Sequence, residues 1–241
     1  AAALTEIHSM PYDEAVEAGK IVLIGEKVDN AYIDAVVAQA EGEERDLRIV
    51  YSPLHGAGQT NVLPVLQKAG FSDIITVDEQ MVPDGNFPTV ENGKPNPEEK
   101  AANDRAVAKM MAEDADIAIT NDPDADRIGV VVRVDDEPIY LSGNQSAVLA
   151  TDYSLRKLHD EGLLTDKHYI AKTIVTTDML DSLANKYGVT SYGNMLVGFK
   201  YIGELIRNKE NTDEVFVIGG EESYGLLKGD YARDKDGAAG A

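Results

Sequence analysis

Short apolar, β-branched runs that alternate with longer stretches of helical periodicity constrain this chain more than any other feature. Leu47 to Tyr51 is an apolar run, followed by the turn-rich SPLHGAG, a helical stretch from Asn61 to Lys68, a terminating Gly70 and a second short run at Ile74 to Val77. That order predicts a β-loop-α-β unit. Residues 83–97 (PDGNFPTVENGKPNP) are crowded with Pro, Gly and Asn and predict a long loop. A helix is expected over Pro97 to Ala112, then a strand at Asp116 to Thr120 that runs directly into NDPDADR, and a β-branched strand at Ile128 to Val134. The alternation then repeats, with helices at Asn144 to His159, Asp178 to Tyr187 and Phe199 to Asn208, and strands at Tyr169 to Val175 and Val215 to Ile218. The expectation is an α/β chain of two consecutive domains, residues 1–136 and 137–241, divided near Asp135 to Pro138. The opening residues and the helical stretch Tyr32 to Ala40 read as scaffold.

A length of 241 residues with 43% hydrophobic content suffices for two ordinary cores. The net charge of −21 repels nucleic acid and anionic membranes, which are bound mainly through basic surface, so neither is an expected partner. No apolar run has the length of a membrane span, and the first residues lack the pattern of a secretory signal. The absence of cysteine excludes disulfides and thiolate ligands or nucleophiles and fits a reducing compartment. A cytoplasmic location is expected.

In an α/β sheet, ligands collect beyond the carboxyl ends of the strands. Three polar loops follow strands here: SPLHGAG, NDPDADR and GGEESYG. Asp122, Asp124 and Asp126 alternate in the second of them, with Pro123 restraining the backbone. Three carboxylates turned toward one point repel each other unless a hard divalent ion sits among them, which predicts a metal site. An EF-hand is excluded by spacing, because counting from Asp122 the sixth position is Arg127 and the twelfth is Arg133. An aspartyl phosphatase with Asp122 as nucleophile is a rival mechanism, and an acidic surface turn is the non-functional alternative.

The string DPDADR closely resembles the metal loop of the α-D-phosphohexomutases (the phosphoglucomutase/phosphomannomutase family), and GEESYG at Gly220 to Gly225 resembles their sugar-binding loop. SPLHGAG, PDGNFP followed by PNPE, VGFKYIG at Val197 to Gly203 and RDKDG at Arg233 to Gly237 agree with the same family, so that the resemblance spans roughly residues 47–237. It implies two α/β domains with mixed sheets of the phosphoglucomutase type. In that family four domains surround a cleft and supply in turn a phosphoserine, the metal loop, the sugar loop and a phosphate-binding loop. This chain corresponds to domains two and three. No Ser-His-Asn-Pro type loop is present, so domains one and four are expected to be missing and the fragment by itself inactive.

The resemblance further implies Mg²⁺ held by Asp122, Asp124 and Asp126, with hexose phosphate and hexose bisphosphate as partners. Arg127 would offset phosphate charge or balance the three aspartates. Glu221 and Ser223 match residues that hydrogen-bond sugar hydroxyls, whereas a solvated turn is the plain alternative for Glu221 and Glu222. Lys200 in GFK matches a lysine near the reacting hydroxyl, where it would act as general acid or base or stabilise charge. Arg233 and Lys235 would face the phosphate or pair with Asp230, Asp234 and Asp236. His55 would either touch the cleft or stabilise its loop. GEES in place of GEMS favours glucose phosphate over mannose phosphate, with pentose phosphate also open. The competing function classes are a non-catalytic sugar-phosphate or metal-binding module and the phosphatase.

Overall fold

The computed structural model describes residues 8–241. Of these, residues 8–32 fall in one compact unit and residues from Ile33 in a second. In the first, helix α1 (Tyr12–Glu17) carries Asp13 and Glu14 in its first turn, where carboxylates suit the positive helix terminus. Helix α2 (Gly25–Val37) runs across the division. It begins earlier than the apolar periodicity from Tyr32 suggests.

Two mixed sheets lie in the second unit. The first has the order β2-β1-β3-β4-β5, built from β1 (Ile49–Ser52), β2 (Ile74–Thr76), β3 (Ile117–Asn121), β4 (Ile128–Val134) and β5 (Glu137–Leu141). β1 pairs parallel with β2 and β3, while β4 returns antiparallel to β3 with Asn121 opposite Ile128. β1 is buried along its whole length, as a strand flanked on both sides must be. Helix α4 (Lys100–Ala112) lays Ala106, Val107 and Met110 on Val50, Ala118 and Val131. Helix α3 (Val62–Lys68) is opened by Asn61, whose side chain accepts from the Val62 amide. The expected division at residue 136 falls in the turn between β4 and β5, and β5 completes the first sheet.

The second sheet has the order β7-β6-β8-β9, from β6 (His168–Thr173), β7 (Thr190–Met195), β8 (Val215–Gly220) and β9 (Leu226–Lys228). β6 is parallel to β7 and β8, and β9 returns antiparallel to β8. Helix α7 (Phe199–Lys209) buries Phe199, Ile202 and Ile206 on Tyr169, Phe216 and Leu227. Helices α5 (Gly143–Asp160) and α6 (Met179–Tyr187) also pack on this sheet, α5 opening with a reciprocal Ser142–Gln145 capping box. A last short helix, α8 (Gly237–Gly240), lies against β9 and α3.

Both sheets therefore repeat one plan. A central parallel strand runs into a polar loop, and the chain comes back as the antiparallel neighbour. The first such loop, residues 121–127, is called the aspartate loop below, and the second, residues 220–225, the glutamate loop. Strand β6 stops at Thr173, short of the expected Val175, and Ile174 and Val175 stand exposed in the following turn.

Candidate functional site

The aspartate loop is set by its two ends, which are pinned in register by β3 and β4. Between them the Ala125 amide donates to the Asp122 carbonyl at 2.9 Å, and Ala125 takes a left-handed φ of 57°. This reversal brings Asp122, Asp124 and Asp126 together, and one oxygen from each lies within 4.8 Å of the others. Asp124 is exposed and Asp126 half-buried, whereas Asp122 is only 2% exposed. Burial pushes the Asp122 carboxyl up to about 6, and the neighbouring Asp126 adds to this, against the lowering effect of the hydrogen bonds and charge of Arg127. An all-oxygen donor set of this charge fits a hard divalent cation.

Arg127 serves the loop directly. Its backbone amide donates to Asp122 Oδ1 at 3.1 Å and its Nε to Asp122 Oδ2 at 2.6 Å, so both oxygens of that carboxylate are engaged. The other end of the guanidinium donates to Asn96 Oδ1 and Glu98 Oε1, each at 3.2 Å. The PNPE segment thus braces the arginine that orients the first aspartate.

Neighbouring backbone holds the loop from two sides. The Ala57 amide of SPLHGAG donates to the Pro123 carbonyl at 2.8 Å, and a Cβ on Gly56 would lie 2.3 Å from Pro123 Cα. Only glycine permits that approach. From the other side the Gly237 amide donates to the Ala125 carbonyl at 3.0 Å, and a Cβ there would meet Asn121 Nδ2 at 2.4 Å. His55 is buried, with Nδ1 2.9 Å from the Val82 carbonyl and Nε2 2.8 Å from Thr89 Oγ1. It ties SPLHGAG to the loop over residues 78–90 and takes the stabilising role of its two readings.

The glutamate loop is closed by the Glu221 amide, which donates to the Gly225 carbonyl at 2.8 Å, with Tyr224 left-handed at a φ of 71°. Glu221 is 5% exposed, which replaces the solvated turn by a buried carboxylate. Its Oε1 accepts from the Gly198 amide at 3.2 Å. Burial raises its proton affinity; the charge of Lys235 and the Gly198 hydrogen bond oppose this, while Glu222 reinforces it. Glu222 turns the other way, its Oε2 seated against the hydroxyl pair of Thr173, at 3.3 Å, and Thr176, at 3.1 Å. Ser223 is half-buried at the tip.

The two loops meet. Arg127 and Gly225 form an antiparallel bridge, and the Ile128 amide donates to the Tyr224 carbonyl at 3.1 Å. Lys235 crosses from the RDKDG segment to place its Nζ 2.6 Å from Asp126 Oδ2, while its aliphatic stem lies beside Gly225. Asp122, Asp124, Asp126, Arg127, Glu221 and Lys235 are thus gathered on one side of the two sheets' junction. Lys200 and Arg233 stand apart. Lys200 is exposed at the start of α7 with its amine 5.0 Å from the centre of the Tyr201 ring, and Arg233 donates through Nε to Glu210 Oε1 at 2.6 Å. From the sequence, Lys235 faces the phosphate or pairs with Asp230, Asp234 and Asp236, and its contact with Asp126 is not among those expectations; Asn96 and Glu98 have no expected role, although the PNPE string that holds them is visible.

Comparison with known proteins fits this arrangement. Residues 30–135 match the model of phosphoglucomutase/phosphomannomutase alpha/beta/alpha domain II, and residues 142–241 that of domain III. A phosphomannomutase of Mycoplasmoides pirum is 36% identical over 84% of this chain and 36% of its own length. A phosphoglucomutase of Staphylococcus saprophyticus is 33% identical over 93% of this chain and 40% of its own length. The chain therefore spans well under half of these curated relatives. In fold it resembles the crystal structure of a putative phosphomannomutase from Thermus thermophilus, with a TM-score of 0.69 at 24% identity, covering 88% of this chain and 45% of that one. With the two domain models matched one after the other along the chain, and with the aspartate and glutamate loops bridged at Arg127 and Gly225, the chain belongs to the phosphoglucomutase/phosphomannomutase family, of which it carries the second and third α/β/α domains.

Proposed function

We propose that this chain is the metal- and sugar-binding middle of a phosphohexomutase that interconverts hexose 1-phosphate and hexose 6-phosphate through a phosphoserine and a bisphosphosugar. The observation that carries this reading is the junction itself: three converging carboxylates share one site with the buried Glu221, linked through Lys235. In this reading the phosphoserine and the distal phosphate loop come from the family's first and fourth domains, so the chain alone is inactive. Zero cysteines fit a cytoplasmic setting for the parent.

Asp122, Asp124 and Asp126 would hold Mg²⁺, which when bound supplies positive charge to a phosphoryl group in transfer. The chain's own residues do the positioning. Arg127 locks the Asp122 carboxylate through two hydrogen bonds. Glu221 offers a carboxylate that accepts from paired sugar hydroxyls, a mode that serves a bisphosphate in either orientation. Ser223 adds a donor and acceptor at the loop tip, and Lys235 keeps a cation between the aspartates and the sugar. Lys200 is assigned to the reacting hydroxyl, as general acid or base or to stabilise charge, and Arg233 to the phosphate. Glucose phosphate is the favoured substrate on the GEES string, with mannose and pentose phosphates as alternatives.

The phosphatase reading, with Asp122 as nucleophile, predicts steady phosphate release by this chain alone. Calorimetric titration of this chain with glucose 1,6-bisphosphate tests the proposal. Binding should require Mg²⁺ and be lost in Asp124→Asn, whereas Glu221→Gln should weaken sugar binding and leave the metal bound. Equal binding in the absence of Mg²⁺, or steady phosphate release by the chain itself, overturns it.

A further inference from the structure

The two adjacent glutamates of the glutamate loop are held in opposite directions. Glu221 points toward the aspartate side, fixed by the Gly198 amide. Glu222 points back into the second sheet, where its Oε2 lies 3.3 Å from Thr173 Oγ1 and 3.1 Å from Thr176 Oγ1; both threonines are almost wholly buried and their hydroxyls are 2.8 Å apart, so one hydroxyl donates to the other and the second donates to the carboxylate. The Thr176 carbonyl in turn accepts at 3.1 Å from Nζ of Lys172, itself only 2% exposed and paired with Asp178 and Asp181. A half-buried carboxylate seated on a pair of buried hydroxyls is a rigid fastening, since releasing it would leave a buried hydroxyl proton without its acceptor.

The fastening also explains how a short loop holds a strained backbone. Between Glu222 and the bridge at Gly225 the chain must turn through Tyr224 in the left-handed region. Glu222 is held on its carbonyl side as well, where a Cβ on Gly143 would lie 2.1 Å from the Glu222 carbonyl oxygen, so α5 abuts the loop there. With Glu222 anchored beside the end of β6 and Glu221, the residue before it, held by the Gly198 amide, the backbone between them is restrained from both sides.

We infer that Glu222 is a positioning residue, set by Thr173 and Thr176, that holds Glu221 in the orientation in which it meets the sugar. The inference rests on the reading of Glu221 as a sugar ligand given above. Glu222 acts from behind and does not touch the ligand.

The test is a double-variant cycle on the 241-residue chain, titrated with glucose 1,6-bisphosphate in the presence of Mg²⁺. Glu222→Met should weaken binding about tenfold, and Thr176→Val several-fold, while Glu222→Gln, whose amide oxygen still accepts from the threonine pair, should bind like the parent. Combining Glu222→Met with Thr176→Val should weaken binding no further than Glu222→Met alone. If Glu222→Met does not fold, Thr176→Val and Glu222→Gln decide the matter. Full additivity of the two losses would mean that Glu222 contacts the ligand itself, and parental affinity in Glu222→Met or Thr176→Val would mean that it positions nothing; either result overturns the inference. Glu221→Gln is run beside them. Should the parent chain fail to bind the bisphosphate, or Glu221→Gln bind as tightly as the parent, it is the sugar-ligand reading that falls; weakening in Glu221→Gln without weakening in Glu222→Met removes the positioning role alone.

Discussion

Lys235 Nζ lies 2.6 Å from Asp126 Oδ2, so a cation carried by the segment after the second sheet is fastened to a carboxylate of the first. Both side chains are partly buried, which makes this pair more than a surface decoration. Lys235→Met keeps the aliphatic stem and removes the charge. In metal-free buffer it should cost about 1–2 kcal/mol of stability, as the partly buried Asp126 loses its partner. Added Mg²⁺ should recover part of that loss by supplying another positive charge. Urea denaturation with and without Mg²⁺ measures both effects.

Asp124 is the exposed member of the triad. Replacing it with Asn should therefore leave the fold within about 0.5 kcal/mol of the parent. Mg²⁺ should raise the thermal midpoint of the parent chain, since a ligand that binds only the folded state stabilises it, and the same change should abolish that rise. A normal metal-induced shift in Asp124→Asn would remove this residue from the metal site.

Glu221 gives a pH signature. Its folded proton affinity is raised by burial, so between the ordinary carboxylate range and its raised folded value the native state carries more proton than the unfolded chain. Stability therefore falls as pH climbs through that window, and the loss persists above it. Glu221→Gln should flatten this part of the profile and make the metal-free chain more stable than the parent at neutral pH. Denaturation midpoints from pH 4 to pH 8, a window of about four pH values around the carboxylate range, would show the crossover.

Gly56→Ala should be costly although alanine is small. The added methyl would sit 2.3 Å from Pro123 Cα and 2.5 Å from its carbonyl oxygen, and both are backbone atoms that cannot swing aside. A loss of about 1–3 kcal/mol is expected from the overpacking. Because the strain falls on the aspartate loop, metal affinity should drop together with stability. Calorimetry of Mg²⁺ binding in this variant separates it from a remote packing defect, which would lower stability alone.

The strand and helix alternation was legible because the buried strands β1, β3, β4 and β8 are β-branched and the helices carry clear apolar faces. The strands that escaped reading have local reasons to be silent. β5 contains Pro138 and forms an edge, β7 carries Gly193 and is half-exposed along its length, and β9 has only three residues. They become strands because a neighbour offers a free edge, which no local pattern records. In the site, the aspartate triad was visible as a spacing. The Lys235–Asp126 contact, the bracing of Arg127 by Asn96 and Glu98, and the division of labour between Glu221 and Glu222 join residues far apart in the chain or set apart two that look alike, so they emerge only from tertiary packing.

Each functional loop leaves its sheet on one strand and rejoins it on the next, so both of its ends are hydrogen-bonded to the same slab. Such a segment behaves as a staple and not as a flap: it has no hinge on which to swing. On the proposed reading, a guest that must be met from two sides at this junction would have to turn within loops pinned at both ends.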